Sequence, residues 1–401
     1  MRRAIRAICA VLGLMLMGLP APAETVEGTH EGADFMISVP ANWNGGLVMY
    51  AHGYQGELPG RGTVQVSPMS DHLTGKGIAW AATGYRAVTY RPDWFLEDVL
   101  ALRQRFIKQV GPVRWTVIHG LSMGGHVAVA GLELHPGIFQ GAITECGVVD
   151  GVGLIDWLYA YTAAAEYFSG AALLDTPRPA FNTVVNGTMV PALGMPGSYT
   201  ARGQQFDSVV KHLSGGDVAM RLAGLTRRYL ANLNPRDPGV LAASEFARHA
   251  DTRGVRYAID PGLGVDDETL NRAIRRVEPA PGARSREVNP VFAEFTGRLQ
   301  APLITLHETG DAWVPLSLEQ SYRRRTIAAG TEHLLVQRVM RAPSHCGFDG
   351  AMREQAFDDL VAWIERGARP VGEDVLAPDL SRIGLSWTPA LHPEDPLALR
   401  R

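Results

Sequence analysis

Residues 115–136 read WTVIHGLSMGGHVAVAGLELHP, and this stretch decides the fold. Trp115 to His119 is an apolar, β-branched run with the signature of a buried strand. Gly120-Leu121-Ser122-Met123-Gly124 follows as a Gly-x-Ser-x-Gly turn, and Gly125 to Leu134 reads as a helix stopped by Pro136. A strand that turns this sharply into a helix leaves no room for side chains at Gly120 and Gly124. The serine between them is forced outward, with its hydroxyl at the positive end of the helix, where developing negative charge is stabilised.

Upstream, the order GADFMISVP from Gly32 to Pro40 alternates as an early strand, and LVMYA from Leu47 to Ala51 is a continuous apolar one. Helical spacing spans Ser70 to Thr83, and YRAVTY from Tyr85 to Tyr90 reads as a further strand. Asp93 to Val110 is a strong amphipathic helix, with Phe95, Val99, Leu102, Phe106 and Val110 on one face. GAITEC from Gly141 to Cys146 gives one more short strand. Strands alternating with helices of these lengths predict a mostly parallel, doubly wound α/β sheet covered on both faces.

The pattern breaks over residues 152–299, where strands become sparse and helices appear, most clearly at Met220 to Leu230 and Asp267 to Val277. Its place in the chain predicts a large, mainly helical cap insertion. Core periodicity returns at Ala301 to Leu306 and His333 to Val339, and Met352 to Arg366 closes the domain as a helix. The expected organisation is therefore a catalytic domain from 24–151 and 300–369, a cap or lid at 152–299, and a Pro-rich tail at 370–401. Ile383, Leu385 and Trp387 predict that the tail is partly docked.

The first 23 residues carry Arg2, Arg3 and Arg6, a short apolar run to Leu19, and Ala21-Pro22-Ala23. They read as a secretory signal peptide cleaved after Ala23, which predicts a periplasmic or secreted protein. The apolar run is too short to span a bilayer, so stable membrane insertion is not expected. The formal net charge is −3, and losing three arginines makes the remainder more acidic, which argues against nucleic acid as a partner. Cys9 leaves with the leader, so Cys146 and Cys346 are the cysteines of the exported chain.

A serine hydroxyl needs a base, and the base needs a partner that fixes its tautomer. In a doubly wound sheet both belong just beyond the C-terminal ends of later strands, in the chain order serine, acid, histidine. Asp311, in HETGDAWVP after the strand ending at Leu306, meets that rule, and so does His345, in SHCGF after the strand ending near Val339. Glu145 and Asp150, after the preceding strand, are competing acids, and Glu308 is a weaker one. An oxyanion hole needs two backbone N–H groups. Met123 supplies one by the geometry of the turn, and the loop after Leu47 to Ala51 points to Tyr54 for the other. His52 reads as a structural residue of that loop.

Taken in order, HGY, GLSMGG, GDAWVP and SHCGF resemble the α/β-hydrolase superfamily over roughly residues 32–367, apart from the cap. The resemblance implies an α/β-hydrolase fold and hydrolysis through an acyl-enzyme. Ser122 would be the nucleophile, His345 general base then acid, and Asp311 the orienting carboxylate. VPANWNG, before the first apolar strand, is also similar to secreted tannase- and feruloyl-esterase-like proteins. Those enzymes typically carry a cysteine beside the nucleophile, paired with one beside the histidine; here Leu121 occupies the first position. Cys346 nevertheless follows His345, and a disulfide to Cys146 would tie the histidine loop to the sheet, the alternative being two buried thiols.

His119 and His126 bracket the turn without a metal-binding pattern, so no metal and no cofactor are expected. Asp266-Asp267-Glu268 reads as a helix start. The aromatic run from Trp157 to Phe168 reads as core or cap packing, with an acyl or aryl pocket as the alternative. The expected activity is cleavage of a small-molecule or polymer-derived carboxylic ester. An amidase or peptidase on the same triad is the nearest alternative, and an inactive binding protein on this scaffold a distant one. Composition leaves the oligomeric state open.

Overall fold

A computed structural model describes residues 23–234 and 246–388. The leader up to residue 22, with Cys9, and the end of the tail from residue 389 lie outside the described residues. The described chain opens with a hairpin, β1 (Glu24–His30) and β2 (Ala33–Val39). It continues through β3 (Gly46–Ala51), α1 (Ser70–Gly75), β4 (Ala79–Thr83) and α2 (Pro92–Gln109). Next come β5 (Trp115–Leu121), α3 (Met123–Leu134) and β6 (Gly141–Glu145).

Among the described residues, 152–299 add no strand to the main sheet. They form α4 (Val152–Ser169), α5 (Arg178–Val184), α6 (Val190–Leu193), a two-residue ribbon β7 (Gly194–Met195) and β8 (Ser198–Tyr199), α7 (Ala201–Leu213), α8 (Arg221–Arg228), α9 (Phe246–His249) and α10 (Asp267–Ala273). Asp266 starts α10 as its N-cap, accepting from the Thr269 N–H at 2.7 Å. The sheet resumes with β9 (Leu303–Glu308), α11 (Leu316–Ala329), β10 (Leu335–Met340) and α12 (Gly350–Arg366).

The eight strands lie in the order β1-β2-β4-β3-β5-β6-β9-β10. Only the β1–β2 and β2–β4 pairings are antiparallel; β4, β3, β5, β6, β9 and β10 run parallel. Helices α2, α3 and α11 cover one face, where Phe95, Val99, Leu102 and Phe106 are buried, and α1 and α12 cover the other, with Leu73, Phe357 and Leu360. Burial on both faces is why β3, β5 and β9 read as unbroken apolar runs. Each fully buried Phe, Leu or Val on these faces contributes about 1.5–3 kcal/mol.

Two sequence expectations are corrected. The helix predicted over 70–83 ends at Gly75, and residues 79–83 are instead the wholly buried strand β4. Gly77, at φ +70°, ends the helical path, and the alanines of AWAAT, good helix formers in isolation, are taken by the sheet because every one of their side chains is buried there. The strand predicted at 85–90 is a loop: Tyr85 sits at φ +67°, and Asp98 of α2 accepts from the Arg86 backbone N–H at 2.9 Å. Only one isolated bridge, Leu58 to Val88, remains there among the described residues. The tail docks through residue 388, with Val375 and Ile383 buried and Arg338 stacked on Trp387, while Leu385 is exposed.

Candidate active site

The turn between β5 and α3 is held by absent side chains. A Cβ on Gly124 would lie 1.9 Å from the Ala51 carbonyl oxygen, and one on Gly120 would lie 2.2 Å from that of Gly124. Ser122 is left at φ 55°, ψ −115°, a conformation that L-residues rarely adopt. Its N–H donates to Glu145 O at 2.9 Å, and its carbonyl accepts from Gly125 and Val148 at 2.8 and 3.0 Å, which pins the turn to the end of β6.

Asp311 lies three residues past β9 and His345 five past β10. Both loops turn back toward Ser122, and they are tied together by Thr309 N–H to Met340 O and Gly310 N–H to Ala342 O, each 2.9 Å. His345 Nε2 lies 2.8 Å from Ser122 Oγ, and His345 Nδ1 lies 2.6 Å from Asp311 Oδ2. The other carboxylate oxygen of Asp311 accepts from the Trp313 and Val314 N–H groups at 2.9 and 3.0 Å. Burial alone would lower the pKa of His345, but the Asp311 carboxylate outweighs it, and the imidazole titrates above its ordinary value.

Tyr54 and Met123 line the same cavity as Ser122. Among the described residues the Tyr54 backbone N–H has no acceptor, and that of Met123 opens α3, where no preceding turn accepts it. The cavity measures about 340 Å³. Leu154, Leu158, Phe181, Leu233 and Phe246 form much of its wall.

The other candidate acids are spent elsewhere. Glu145 is buried between His119, 2.7 Å away, and Arg353, whose guanidinium donates to it at 2.8 and 3.0 Å. Burial pushes its carboxyl up, but these two partners prevail and hold it below the ordinary value. Asp150 pairs with Arg325 at 3.0 Å, and burial lifts it to about 6. Glu308 accepts from the Ser344 hydroxyl at 3.0 Å and from the Cys346 and Gly347 N–H groups at 3.0 and 2.5 Å. It grips the loop that carries His345, a role its position in the sequence does not reveal.

Cys146 and Cys346 form a disulfide with Cα atoms 5.2 Å apart, so neither sulfur beside His345 is a thiolate for a metal. His52 is buried, titrates down at about 4 because of that burial, and bonds to Gly53 O at 2.7 Å. His126 receives the Tyr90 hydroxyl at 3.1 Å and donates to Val291 O at 2.9 Å. The aromatic run of α4 packs rather than lining the cavity: Tyr161 lies tilted against Trp157 and edge-on to Phe206 and donates to Tyr229 O at 2.8 Å. From that helix it is Leu154 and Leu158, one turn apart, that reach the cavity.

A family model described as a tannase-like family of unknown function (DUF6351) matches residues 27–250. The o-phthalyl amidase of Xanthobacter agilis is 20% identical over 414 residues, covering 87% of this chain and 89% of that one. Among solved structures, feruloyl esterase B from Aspergillus oryzae has a TM-score of 0.50 at 13% identity, with 87% of this chain and 80% of that chain covered. An acylaminoacyl peptidase from Pyrococcus horikoshii has a TM-score of 0.44 at 12% identity over 88% of this chain, which spans 43% of the peptidase's length. The architecture is the α/β-hydrolase fold.

Proposed function

This chain belongs to the tannase-like family of unknown function, and from that premise we propose that it is an exported serine hydrolase cleaving carboxylic esters through an acyl-enzyme on Ser122. The observation that carries the reading is the relay of 2.8 Å from Ser122 Oγ to His345 and 2.6 Å from His345 to Asp311, opening on an apolar cavity. His345 Nε2 takes the hydroxyl proton as Ser122 Oγ bonds to the ester carbonyl carbon. The carbonyl oxygen becomes an oxyanion facing the Tyr54 and Met123 N–H groups. The C–O bond then breaks, and the alcohol leaves with the proton from His345. Water, deprotonated by the same nitrogen, attacks the acyl group and releases the carboxylic acid and free Ser122.

Residues 152–299 act in this reading as a cap that chooses the substrate, since they supply Leu154, Leu158, Phe181 and Leu233 to the cavity wall. Export rests on the leader sequence, with which the Cys146–Cys346 disulfide is compatible. Among the described residues no helix is long and apolar enough to cross a membrane. The substrate is a small molecule or a polymer-derived ester, and the acidic net charge speaks against nucleic acid.

An amidase on the same triad is the second reading, favoured by the likeness to the o-phthalyl amidase. A panel of p-nitrophenyl esters against aminoacyl anilides separates the two, and activity confined to anilides reverses the order. A fluorophosphonate probe tests the chemistry itself: the folded protein is expected to form an adduct on Ser122, and Ser122→Ala and His345→Ala each to lose several orders of magnitude in turnover. No adduct at Ser122 would favour a binding role.

A further inference from the structure

A second cavity, of about 190 Å³, opens beside His345 and Asp311 and is walled on one side by Arg227 and Arg228 of α8. The helix is seated against the acid loop, since a Cβ on Gly224 would lie 1.6 Å from the Gly310 carbonyl oxygen. Arg228 is half-buried, its guanidinium lying 4.1 Å from the centre of the Trp313 ring, and that ring lies 5.3 Å from the ring of His345. A third arginine of the helix, Arg221, is paired with Asp207 at 2.9 and 3.0 Å. Among the described residues Arg227 and Arg228 have no carboxylate partner. Asp311, the acid in this cavity, is already engaged by His345, Trp313 and Val314.

The charge of Arg228 in this placement works against the reaction, although the Asp311 carboxylate outweighs it. His345 must become a cation when it takes the Ser122 proton, and the charge of Arg228 opposes that protonation. A negative group lying on Arg228 would remove the opposition at the moment it matters. Nothing in the main cavity repels such a group, because its described walls contain no carboxylate and include Arg178.

We propose that the cavity between α8 and the His345 loop is a subsite for a carboxylate carried on the leaving-group side of the substrate. The departing oxygen receives its proton from His345, and Trp313, the ring beside that imidazole that Arg228 covers, also lines the cavity that holds Ser122, which puts Arg228 on the side of the leaving group. The planar fork of Arg228, placed over the Trp313 ring, matches a carboxylate, and Arg227 adds charge at the exposed rim. The subsite rests on the serine-hydrolase reading given above.

Two esters test it, 4-acetoxybenzoate and 4-acetoxybenzamide, which share shape and acyl group and differ in charge on the phenol released. The wild-type chain is expected to show a KM about tenfold lower for the benzoate, an advantage that shrinks at high salt. Arg228→Gln should bring the ratio of the two KM values close to one, and Arg228→Lys should keep part of it. The acid limb of kcat should lie at higher pH for the benzoate than for the benzamide in the wild type. Calorimetry on Ser122→Ala with 4-hydroxybenzoate and 4-hydroxybenzamide asks the same question without turnover, and there too the acid should bind about tenfold tighter. Equal constants for the charged and neutral compounds, or a preference that survives Arg228→Gln, overturn the subsite and leave the hydrolase reading intact. Failure to cleave either ester together with no fluorophosphonate adduct at Ser122 removes the hydrolase reading, and the subsite with it.

Discussion

The backbone N–H of Cys346 donates to Glu308 Oε2 at 3.0 Å, one residue past the histidine that faces Ser122. With Ser344 and Gly347 on its other oxygen, the carboxylate at the end of β9 sets where the His345 loop lies, while the next loop from the same strand carries Asp311. Glu308→Ala should lower kcat about ten- to hundredfold with a smaller change in KM, because misplacing a catalytic group by about 1 Å has that effect. Glu308→Gln, which keeps an acceptor for Ser344 and Gly347, should fall between.

Glu308 also gives the protein a pH-dependent stability. Burial, and then the charge of Asp311, push its carboxyl from the ordinary 4.5 up to about 7. The folded state therefore holds this proton more tightly than the unfolded chain does. The stabilisation is full below about pH 4.5 and is lost as the pH rises through about 7. Urea denaturation should show the wild-type midpoint falling relative to that of Glu308→Gln across this window; parallel curves would mean that Glu308 titrates normally.

The legible part of the candidate site is the part fixed by strand ends. Ser122, Asp311 and His345 follow β5, β9 and β10, and a parallel sheet places such positions along one edge whatever the loops do. The grip of Glu308 on residues 344–347 was not legible, because it depends on how a loop beyond the next strand folds back. Nor was the cavity wall, which gathers residues from α4, α5 and α9 that share no motif. The aromatics of α4 pack as core or cap residues, the first of the two readings the sequence offers, but that helix is buried nearly all round and its periodicity does not mark Leu154 and Leu158 as the residues that reach the cavity. β1 was missed for the opposite reason: its largely exposed, polar ETVEGTH carries no apolar alternation and is held mainly by its backbone pairing with β2.

Gly124→Ala tests the turn itself. With its Cβ 1.9 Å from a backbone oxygen of β3, no rotamer relieves the clash, and the strand or the helix must move. The substitution should cost about 3 kcal/mol. Gly137→Ala is the control for added bulk, because no atom lies within 4 Å of its Cβ position, although its φ of +82° carries some strain of its own. Comparable thermal midpoints for the two variants would show that the turn has more room than its geometry indicates.

The disulfide closes a sequence separation of 200 residues and anchors the residue next to His345 to the end of β6. Cross-links across loops this long stabilise by about 4–5 kcal/mol in the chain-entropy account. A Cys146→Ala, Cys346→Ala double variant should therefore unfold at a markedly lower urea concentration. It should also lose turnover under conditions where it is still folded, because the His345 loop then loses its covalent anchor and is held by hydrogen bonds such as those to Glu308. Full activity in the folded double variant would reduce the disulfide to a stabilising role.

The acid limb of the rate profile reads the charge balance at His345. The imidazole must be neutral to accept the Ser122 proton, and the Asp311 carboxylate overcomes burial to raise its pKa, so kcat/KM for a neutral ester should rise with pH through a midpoint above 6.5. Asp311→Asn removes the charge that opposes burial, and the limb should move to lower pH. The plateau should fall by about 10⁴, because the tautomer that presents Nε2 to Ser122 is no longer favoured. Asp150→Asn should instead lower stability, because it strips Arg325 of its 3.0 Å partner, while leaving the limb in place. If Asp150→Asn moved the limb and Asp311→Asn did not, the orienting carboxylate would have to be reassigned to the end of β6.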